Sequence, residues 1–227
     1  MSAFGIVGYI STFGRKNDLY GLGLLLNPYF FSIFALDFNI KIINKMRNKY
    51  TMIACVNNKN AIAKEGNLMY HIKADMGNFK SLTTDNVVIM GRRTFETLPG
   101  CKPLKNRINI IVTSNLDYSP LGVENWTKDE LNNTFLVNSL NEADELCYAY
   151  FSDKELFIIG GGMIYAKAYE LGMVDKAIIT LVNDDADGDV YFPEIDKDEN
   201  FKMIFKTTSL RDHPNDTYYR YIFYKRK

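Results

Sequence analysis

The sequence predicts an α/β fold in which helices cover both faces of a mainly parallel sheet. Short apolar runs, typical of buried strands, alternate along the chain with segments of helical periodicity. The C-terminal region instead carries two consecutive alternating segments, near residues 201–208 and 217–224. Because strands that follow one another without a helix usually pair antiparallel, this region predicts an antiparallel addition at one edge of the sheet.

Each predicted element follows from its own local pattern. The strands are short runs rich in apolar residues and lie at 52–58, 87–90, 108–113, 135–138, 156–159 and 177–182, before the two C-terminal segments. The helices show apolar residues at helical spacing and lie at 72–82, directly after Gly91, at 140–150 and at 163–171. A polar stretch through residues 64–67 predicts a loop between the first strand and the first helix.

Composition and charge narrow the class of protein. Of the 227 residues, 47% are hydrophobic and 24% are charged, and 27 Lys+Arg balance 27 Asp+Glu. Because a nucleic-acid-binding protein needs a basic surface, we expect no nucleic-acid partner. Cys55, Cys101 and Cys147 have no CxxC spacing, and only two histidines are present. We therefore expect no metal site, no disulfide framework and a cytoplasmic location.

Residues 1–50 differ from the rest and are interpreted as an apolar extension to a domain spanning residues 51–227. Residues 19–36 carry no charge, but Asn27 and Pro28 interrupt them. Three interpretations remain open: sequence upstream of a true start at Met46 or Met52, a membrane-associated extension, or an apolar arm packed on the domain or on a partner. We expect membrane contact, if there is any, only through residues 19–36.

One carboxylate stands out in the first predicted helix. Asp75, Phe79 and Leu82 follow i, i+4, i+7 spacing and so share a helix face, with Met76 beside them. A carboxylate in an apolar stripe is costly unless it has a polar partner, which a ligand with an amidine-like pair of donors would supply. Acids are also common near helix starts for electrostatic reasons, and the helix considered alone favours that explanation.

The segment around Asp75 favours a ligand-binding carboxylate over a helix-start acid. Residues 62–76, IAKEGNLMYHIKADM, resemble the pattern I-G-x-x-G-x-L-P-W-x-I-x-x-D-L/M of dihydrofolate reductases. The resemblance implies that Asp75 binds the pyrimidine edge of a pterin and supports protonation of the imine being reduced. It also implies that the loop around Leu68 is a lid that closes on the bound ligands.

Three positions in this segment depart from the family pattern. Ala63 replaces a glycine, Met69 replaces a proline, and Tyr70 replaces a tryptophan. The family's tryptophan helps to hold a water beside the acid, so Tyr70 is expected to lend a hydroxyl to the catalytic site instead. The loss of proline is expected to leave the lid hinge less restricted.

Two strand-to-helix junctions predict a phosphate-binding site. The Arg-Arg-Thr run at 92–94 follows Gly91 at a helix start, where arginine side chains and a hydroxyl can hold a phosphate. The run VVIMGRRTFETLP at 87–99 resembles the family's V-I-M-G-R-x-T-F/W-E-S-L/I. The glycine triplet at 160–162 lets the backbone approach a phosphate and matches the family's I-G-G-G-x-x-Y.

By this resemblance the cofactor is NADPH, and residues with small, apolar, hydroxyl or cationic side chains bind it. The expected cofactor contacts are Ala54, Ile62, Leu68, Gly91, Arg92, Arg93, Thr94, Thr113, Ser114, Ile159, Gly160, Gly161, Gly162, Met163, Ile164 and Tyr165. The expected substrate contacts are Ile53, Cys55, Asp75, Met76, Phe79, Leu98, Arg107, Ile159 and Thr180. Arg107 suits the glutamate carboxylate of folate because arginine binds carboxylates bidentately, and Thr180 is expected to support Asp75.

The resemblance covers about residues 52–227, with five motifs in register. It implies NADPH-dependent reduction of 7,8-dihydrofolate to tetrahydrofolate for one-carbon metabolism and thymidylate synthesis. The expected protein is a monomer that binds dihydrofolate and antifolate-type small molecules. One alternative is a pyrimidine reductase of riboflavin synthesis, which is not expected to carry the D-M-x-x-F helix. Another is a non-catalytic folate- or nucleotide-binding protein, against which the acid, the glycine triplet and the arginine pair argue.

Overall fold

The computed structural model describes residues 49–115, 117–120, 122–213 and 216–227. The strands, in chain order, are β1 (Tyr50–Asn57), β2 (Ala61–Lys64), β3 (Asn67–Leu68), β4 (Val87–Gly91), β5 (Ile108–Val112), β6 (Thr134–Val137), β7 (Leu156–Gly160), β8 (Val174–Val182), β9 (Val190–Tyr191), β10 (Phe201–Lys206), β11 (Leu210–Asp212) and β12 (Thr217–Arg226). The α-helices are α1 (Lys73–Thr83), α2 (Arg92–Glu96), α3 (Lys128–Asn132), α4 (Leu140–Tyr150) and α5 (Gly162–Glu170).

The main sheet has the strand order β10-β12-β8-β1-β7-β4-β5-β6, and β11 pairs with β12. All pairs from β8 across to β6 are parallel. Strand β12 runs antiparallel to β8, β10 and β11. The predicted mainly parallel sheet with an antiparallel C-terminal edge is therefore confirmed.

Alternating residues of the central strands divide the core into two apolar layers. Met52 and Ile158 belong to one cluster, which also contains buried residues of α4 and α5. Their chain neighbours Ile53 and Phe157 belong to a second cluster, which contains a buried residue of α2 and partly buried residues of α1. Because successive side chains of a strand point to opposite faces, these two clusters are the two sides of one sheet, each covered by helices.

The sequence prediction missed a second sheet with the order β3-β2-β9. The expected loop at residues 64–67 is wrong at both ends, since Lys64 ends β2 and Asn67 begins β3. Strands of two to four residues are too short for an alternating pattern to stand out. They form here because β2 pairs with β9, more than a hundred residues further along the chain.

The region outside these ranges includes most of the predicted extension. Residues 1–48, and with them the uncharged stretch at 19–36, lie outside the described residues. No helix within the described ranges is long and apolar enough to cross a membrane.

Candidate active site

Asp75 meets Thr180 at the centre of the site. Helix α1 begins directly after the buried Ile72, and Asp75 lies in its first turn. The Thr180 hydroxyl, buried in the middle of β8, donates a hydrogen bond to Asp75 Oδ1. Burial raises the pKa of Asp75, and the hydrogen bond from Thr180 opposes that rise without cancelling it. The structure thus brings together two predicted site residues that are 105 positions apart.

Neighbouring strands present two further side chains beside this pair. Cys55 of β1 and Tyr221 of β12 are the register partners of Thr180, so all three side chains leave the same face of the sheet. Burial and the charge of Asp75 raise the pKa of the Cys55 thiol. Burial, Tyr219 and Asp75 raise the pKa of Tyr221. Cys55 is therefore a neutral neighbour of the acid and not a thiolate nucleophile.

Four predicted substrate contacts form one apolar wall. Ile53 is buried in the cluster that also holds the partly buried Phe79, Leu98 and Ile159. They come from β1, from α1, from the residue before the turn Pro99–Cys101, and from β7. A fifth predicted contact, Met76, is about half exposed on α1. Flat, apolar surfaces of this kind favour an aromatic ring system as ligand.

Arg107 lies beside this wall as a buried cation. Its Nη1 donates to Thr83 Oγ1 at 3.2 Å and its Nε to the Lys105 carbonyl at 2.9 Å. The guanidinium carbon lies 6.0 Å from the ring centroid of Phe79. No acidic side chain of the described residues forms an ion pair with Arg107. A guanidinium with only 8% of its residue surface exposed and with unused N–H groups can take a ligand carboxylate.

The two predicted phosphate junctions lie against each other. A β-carbon built on Gly161 would lie 3.0 Å from Thr94 Oγ1, and one on Gly91 would lie 3.0 Å from Ile164 Cγ1. Gly160 has a φ of +130°, a conformation open to glycine and strained for other residues. The turn from β7 into α5 is thus packed on the start of α2, at the ends of two adjacent parallel strands.

The predicted arginine pair and hydroxyls occupy different environments. Arg92 Nη1 lies 3.0 Å from Glu96 Oε1, and its guanidinium carbon lies 5.5 Å from the Tyr118 ring centroid. Arg93 is exposed. Thr113 is buried and accepts the Asn115 N–H at 3.2 Å, whereas the next residue, Ser114, is exposed. Sequence reasoning missed Glu96, although its i, i+4 spacing from Arg92 signals a pair, and no pattern signals Tyr118.

The remaining predicted cofactor contacts range from buried to exposed. Tyr165 is buried, and its hydroxyl donates to the Ile53 carbonyl at 2.6 Å, so α5 is tied to β1 next to Ala54. Ile62 is buried on β2. Leu68 and Met163 are exposed apolar side chains, with 52% and 82% of their surface accessible.

Tyr70 packs in the cluster that also holds Cys55 and Tyr221, the neighbours of the Asp75–Thr180 pair. Its hydroxyl donates to Asp184 Oδ2 at 2.5 Å, in the loop after β8. Among the described contacts, none joins the Tyr70 hydroxyl to Asp75. The expected hydroxyl at the catalytic carboxylate is thus directed to another acid, which sequence reasoning missed because loop residues 114 positions apart leave no local signal.

Comparisons with known proteins agree with this geometry. The family model described as Dihydrofolate reductase matches residues 49–226. The dihydrofolate reductase of Bacillus subtilis is 31% identical over 166 residues, which cover 73% of this chain and 88% of the relative. That of Schistosoma mansoni is 36% identical over 181 residues, covering 75% and 89%.

A solved structure extends the likeness to three dimensions. The dihydrofolate reductase from Enterococcus faecalis superposes with a TM-score of 0.65 and 27% identity, covering 80% of this chain and 98% of that one. Its likeness includes the mainly parallel sheet and the antiparallel C-terminal strands. The chain belongs to the dihydrofolate reductase family, and its activity is that of a dihydrofolate reductase.

Proposed function

We propose that the chain reduces 7,8-dihydrofolate with NADPH between α1, the central strands and the glycine turn, and that Asp75 handles the proton. The observation that carries this proposal is the Asp75–Thr180 pair beside an apolar wall. Thr180 donates to Oδ1 of the carboxylate, and Oδ2 would accept from the ligand. Paired N–H donors on a pterin match a carboxylate in this position.

The substrate's two ends would meet two different kinds of side chain. The pterin ring would pack on Ile53 and Phe79, next to Asp75. The glutamate carboxylate would bind Arg107, whose guanidinium already lies over Phe79. Because Arg107 is a buried cation with no carboxylate partner among the described residues, a bound carboxylate would offset its desolvation. Antifolate-type molecules with the same ring donors would use the same contacts.

The residues at the glycine turn fit a dinucleotide. The Enterococcus faecalis relative is described as complexed with NADP(H) and RAB-propyl, which supports NADPH for this chain. Glycines at 160 and 161 carry no side chain that would keep a phosphate from the backbone, and a β-carbon on Gly161 would crowd Thr94. Arg92 and Arg93 supply positive charge for a phosphate monoester. When bound, NADPH supplies the hydride.

Asp75 would act on the proton of the same reaction. Its raised pKa keeps a larger share of the carboxyl protonated near neutral pH than an exposed aspartate would have. We infer that Asp75 promotes protonation of the imine nitrogen through a bound water. The neutral thiol of Cys55 and the apolar wall keep other charges away from this position.

We infer further that residues 51–227 are the catalytic domain, that the protein is monomeric and that it is cytoplasmic. The family match at 49–226 supports the domain boundary. Free thiols at Cys55, Cys101 and Cys147 support a reducing compartment. Native mass measurement, with fractionation and N-terminal sequencing of the natural protein, tests these points and separates the three interpretations of residues 1–50.

The direct test follows NADPH absorbance when dihydrofolate is added to purified protein. We expect oxidation that depends on dihydrofolate and that an antifolate abolishes. Protein without dihydrofolate and dihydrofolate without protein are the controls. Failure to oxidise NADPH under these conditions would contradict the proposal, and turnover of a riboflavin-type aminopyrimidine instead would favour the alternative reductase.

A further inference from the structure

The hydrogen bond between Tyr70 and Asp184 joins two chain segments that both lead to the active-site pair. Tyr70 lies between β3 and α1, two residues before Ile72 and five before Asp75. Asp184 lies two residues beyond the end of β8 and four beyond Thr180. The bond of 2.5 Å therefore closes a ring of contacts that also contains the Asp75–Thr180 hydrogen bond.

Asp184 is itself firmly attached to the sheet. Its N–H donates to the Val182 carbonyl at 3.0 Å, and its carbonyl accepts the Asn58 N–H at 3.0 Å. The fully buried Asn57 adds a second attachment, since its Nδ2 donates to the Ala186 carbonyl at 2.7 Å. The Asp184 carboxylate is thus held by backbone contacts to β8 and to the end of β1, and its place does not depend on Tyr70.

The segment that contains Tyr70 is held by the pairing of β3 with β2 and by the packing of Tyr70 against the cluster of Ile72, Val182 and Tyr219, in addition to its hydroxyl contact. Both residues of β3 are exposed, and Met69 contributes one backbone hydrogen bond, from its N–H to the Ile62 carbonyl at 3.1 Å. Methionine does not fix its own φ as proline would. The hydroxyl bond to a carboxylate is of the strong, charge-assisted kind. It adds a directional contact to the loop after β8 that helps to fix where this segment enters α1.

We propose that Asp184 is a positioning residue for dihydrofolate. By accepting the hydrogen bond of Tyr70, Asp184 fixes the segment between β3 and α1 and so holds Asp75 in register with Thr180. The inference rests on the proposed function of Asp75. It replaces the expected role of Tyr70 at the catalytic carboxylate with a role exerted through the backbone.

The test compares Asp184→Ala, Asp184→Asn, Tyr70→Phe and the double variant Tyr70→Phe/Asp184→Ala in the full-length protein. We expect Asp184→Ala and Tyr70→Phe each to raise KM for dihydrofolate about tenfold, as the loss of a charge-assisted hydrogen bond does. KM for NADPH stays within roughly twofold, because the glycine turn is not part of the ring of contacts. KM of the double variant for dihydrofolate should equal that of either single variant, because both substitutions remove the same hydrogen bond. Asp184→Asn retains an acceptor and restores most of the loss.

The matched control is Asp185→Ala. Asp185 is the next acid of the same loop, is exposed and, within the described ranges, accepts a hydrogen bond from the Asn58 side chain at 3.2 Å. We expect Asp185→Ala to have the wild-type KM for both dihydrofolate and NADPH. Thermal unfolding of every variant separates a local effect from a general loss of stability. If Asp184→Ala does not fold, Tyr70→Phe, which leaves all backbone contacts of Asp184 in place, still tests the proposal.

Two results would overturn the inference. One is a raised KM in Tyr70→Phe with wild-type behaviour in Asp184→Ala, which would show that Tyr70 acts on the site by itself. The other is an equal rise of KM for dihydrofolate and NADPH. The proposed function fails separately, if wild-type protein does not oxidise NADPH with dihydrofolate or if Asp75→Asn retains full turnover.

Discussion

Two opposing effects set the charge of the Asp75 carboxyl. Burial removes it from water and favours the neutral form, whereas the hydrogen bond from Thr180 favours the ionised form. The net rise in the pKa of Asp75 shows that burial is the larger effect. Ionisation of the buried Asp75 carboxyl near neutral pH therefore costs the folded state stability, as expected of a residue that serves catalysis.

This cost predicts how stability depends on pH. A carboxyl whose pKa is raised in the folded state contributes stability that is fully present below its unfolded pKa and is lost as pH rises through the folded pKa. Asparagine does not ionise and shows no such loss. We expect Tm of Asp75→Asn to gain on that of wild type as pH rises from the ordinary carboxyl value of 3.8 towards neutrality. If Tm of Asp75→Asn minus Tm of wild type stays constant or falls over this range, the assignment of the pKa is contradicted.

The second residue-scale prediction concerns Arg107. Replacing it by leucine removes a buried cation that has no acidic partner among the described residues. Because hydrogen bonds to charged groups contribute about 1.5–3 kcal/mol, KM for dihydrofolate should rise roughly 10- to 100-fold. KM for a pterin substrate without glutamate should rise far less. KM of Arg107→Lys for dihydrofolate should lie between the values for wild type and for Arg107→Leu. Equal losses for both substrates would show that Arg107 serves the fold and not the glutamate.

At the scale of elements, the function depends on how closely two strand-to-helix junctions approach. Gly161 and Thr94 approach too closely for a side chain at residue 161, since a β-carbon on Gly161 would lie 3.0 Å from Thr94 Oγ1. The arrangement of the two junctions therefore requires glycine at this position.

The element-scale prediction is that Gly161→Ala weakens NADPH binding. The added methyl group must displace Thr94 or the turn, so we expect Kd for NADPH to rise about tenfold or more, measured by fluorescence titration. Gly77→Ala is the matched control, because a β-carbon there meets nothing within 4 Å. In α1 it should leave Kd unchanged and raise stability by about 0.5–1 kcal/mol. Equal behaviour of the two variants would exclude a close approach at Gly161.

Elements with a strong local signal were predictable from the sequence, and those formed by distant pairing were not. Strand β4 is a buried apolar run, and its predicted end differs from the observed one by a single residue. Helix α3 was missed: its five residues are stabilised by a capping box between Thr127 and Glu130 and not by an apolar stripe. Asp75 and Thr180 were found through the family motifs, whereas Asp184 has no motif and became visible only when β8 and α1 were in place.

At the scale of the whole molecule, the sheet gathers the site from strands that are far apart in the sequence. Central strand β1 pairs with β7 and β8, so its first residues stabilise the arrangement on which the site depends. Tyr50 begins this strand, is fully buried and donates its hydroxyl to Asp144 Oδ1 at 2.7 Å. Tyr50 and Thr51, which precede Met52, are therefore part of the folded domain.

This observation predicts a difference between two shortened chains. A chain that starts at Met46 retains Tyr50. It should unfold cooperatively, at a urea concentration close to that at which the full-length protein unfolds. A chain that starts at Met52 loses a buried aromatic residue, which costs about 3–5 kcal/mol, and it should be correspondingly less stable to urea. Equal stability of the two chains would show that Tyr50 contributes little to the core.

Asp75 is the proposed proton-handling carboxylate, and the kinetics of Asp75→Asn test this role. Asparagine keeps the size of the side chain and an acceptor for Thr180, but it cannot hold or release the proton. We expect dihydrofolate turnover to fall by about two orders of magnitude or more, the range for loss of an acid–base group. Kd for NADPH should remain within roughly twofold of wild type, because this variant leaves the glycine turn intact. Equal losses of turnover and of NADPH binding would contradict the assignment of Asp75 as the proton-handling carboxylate.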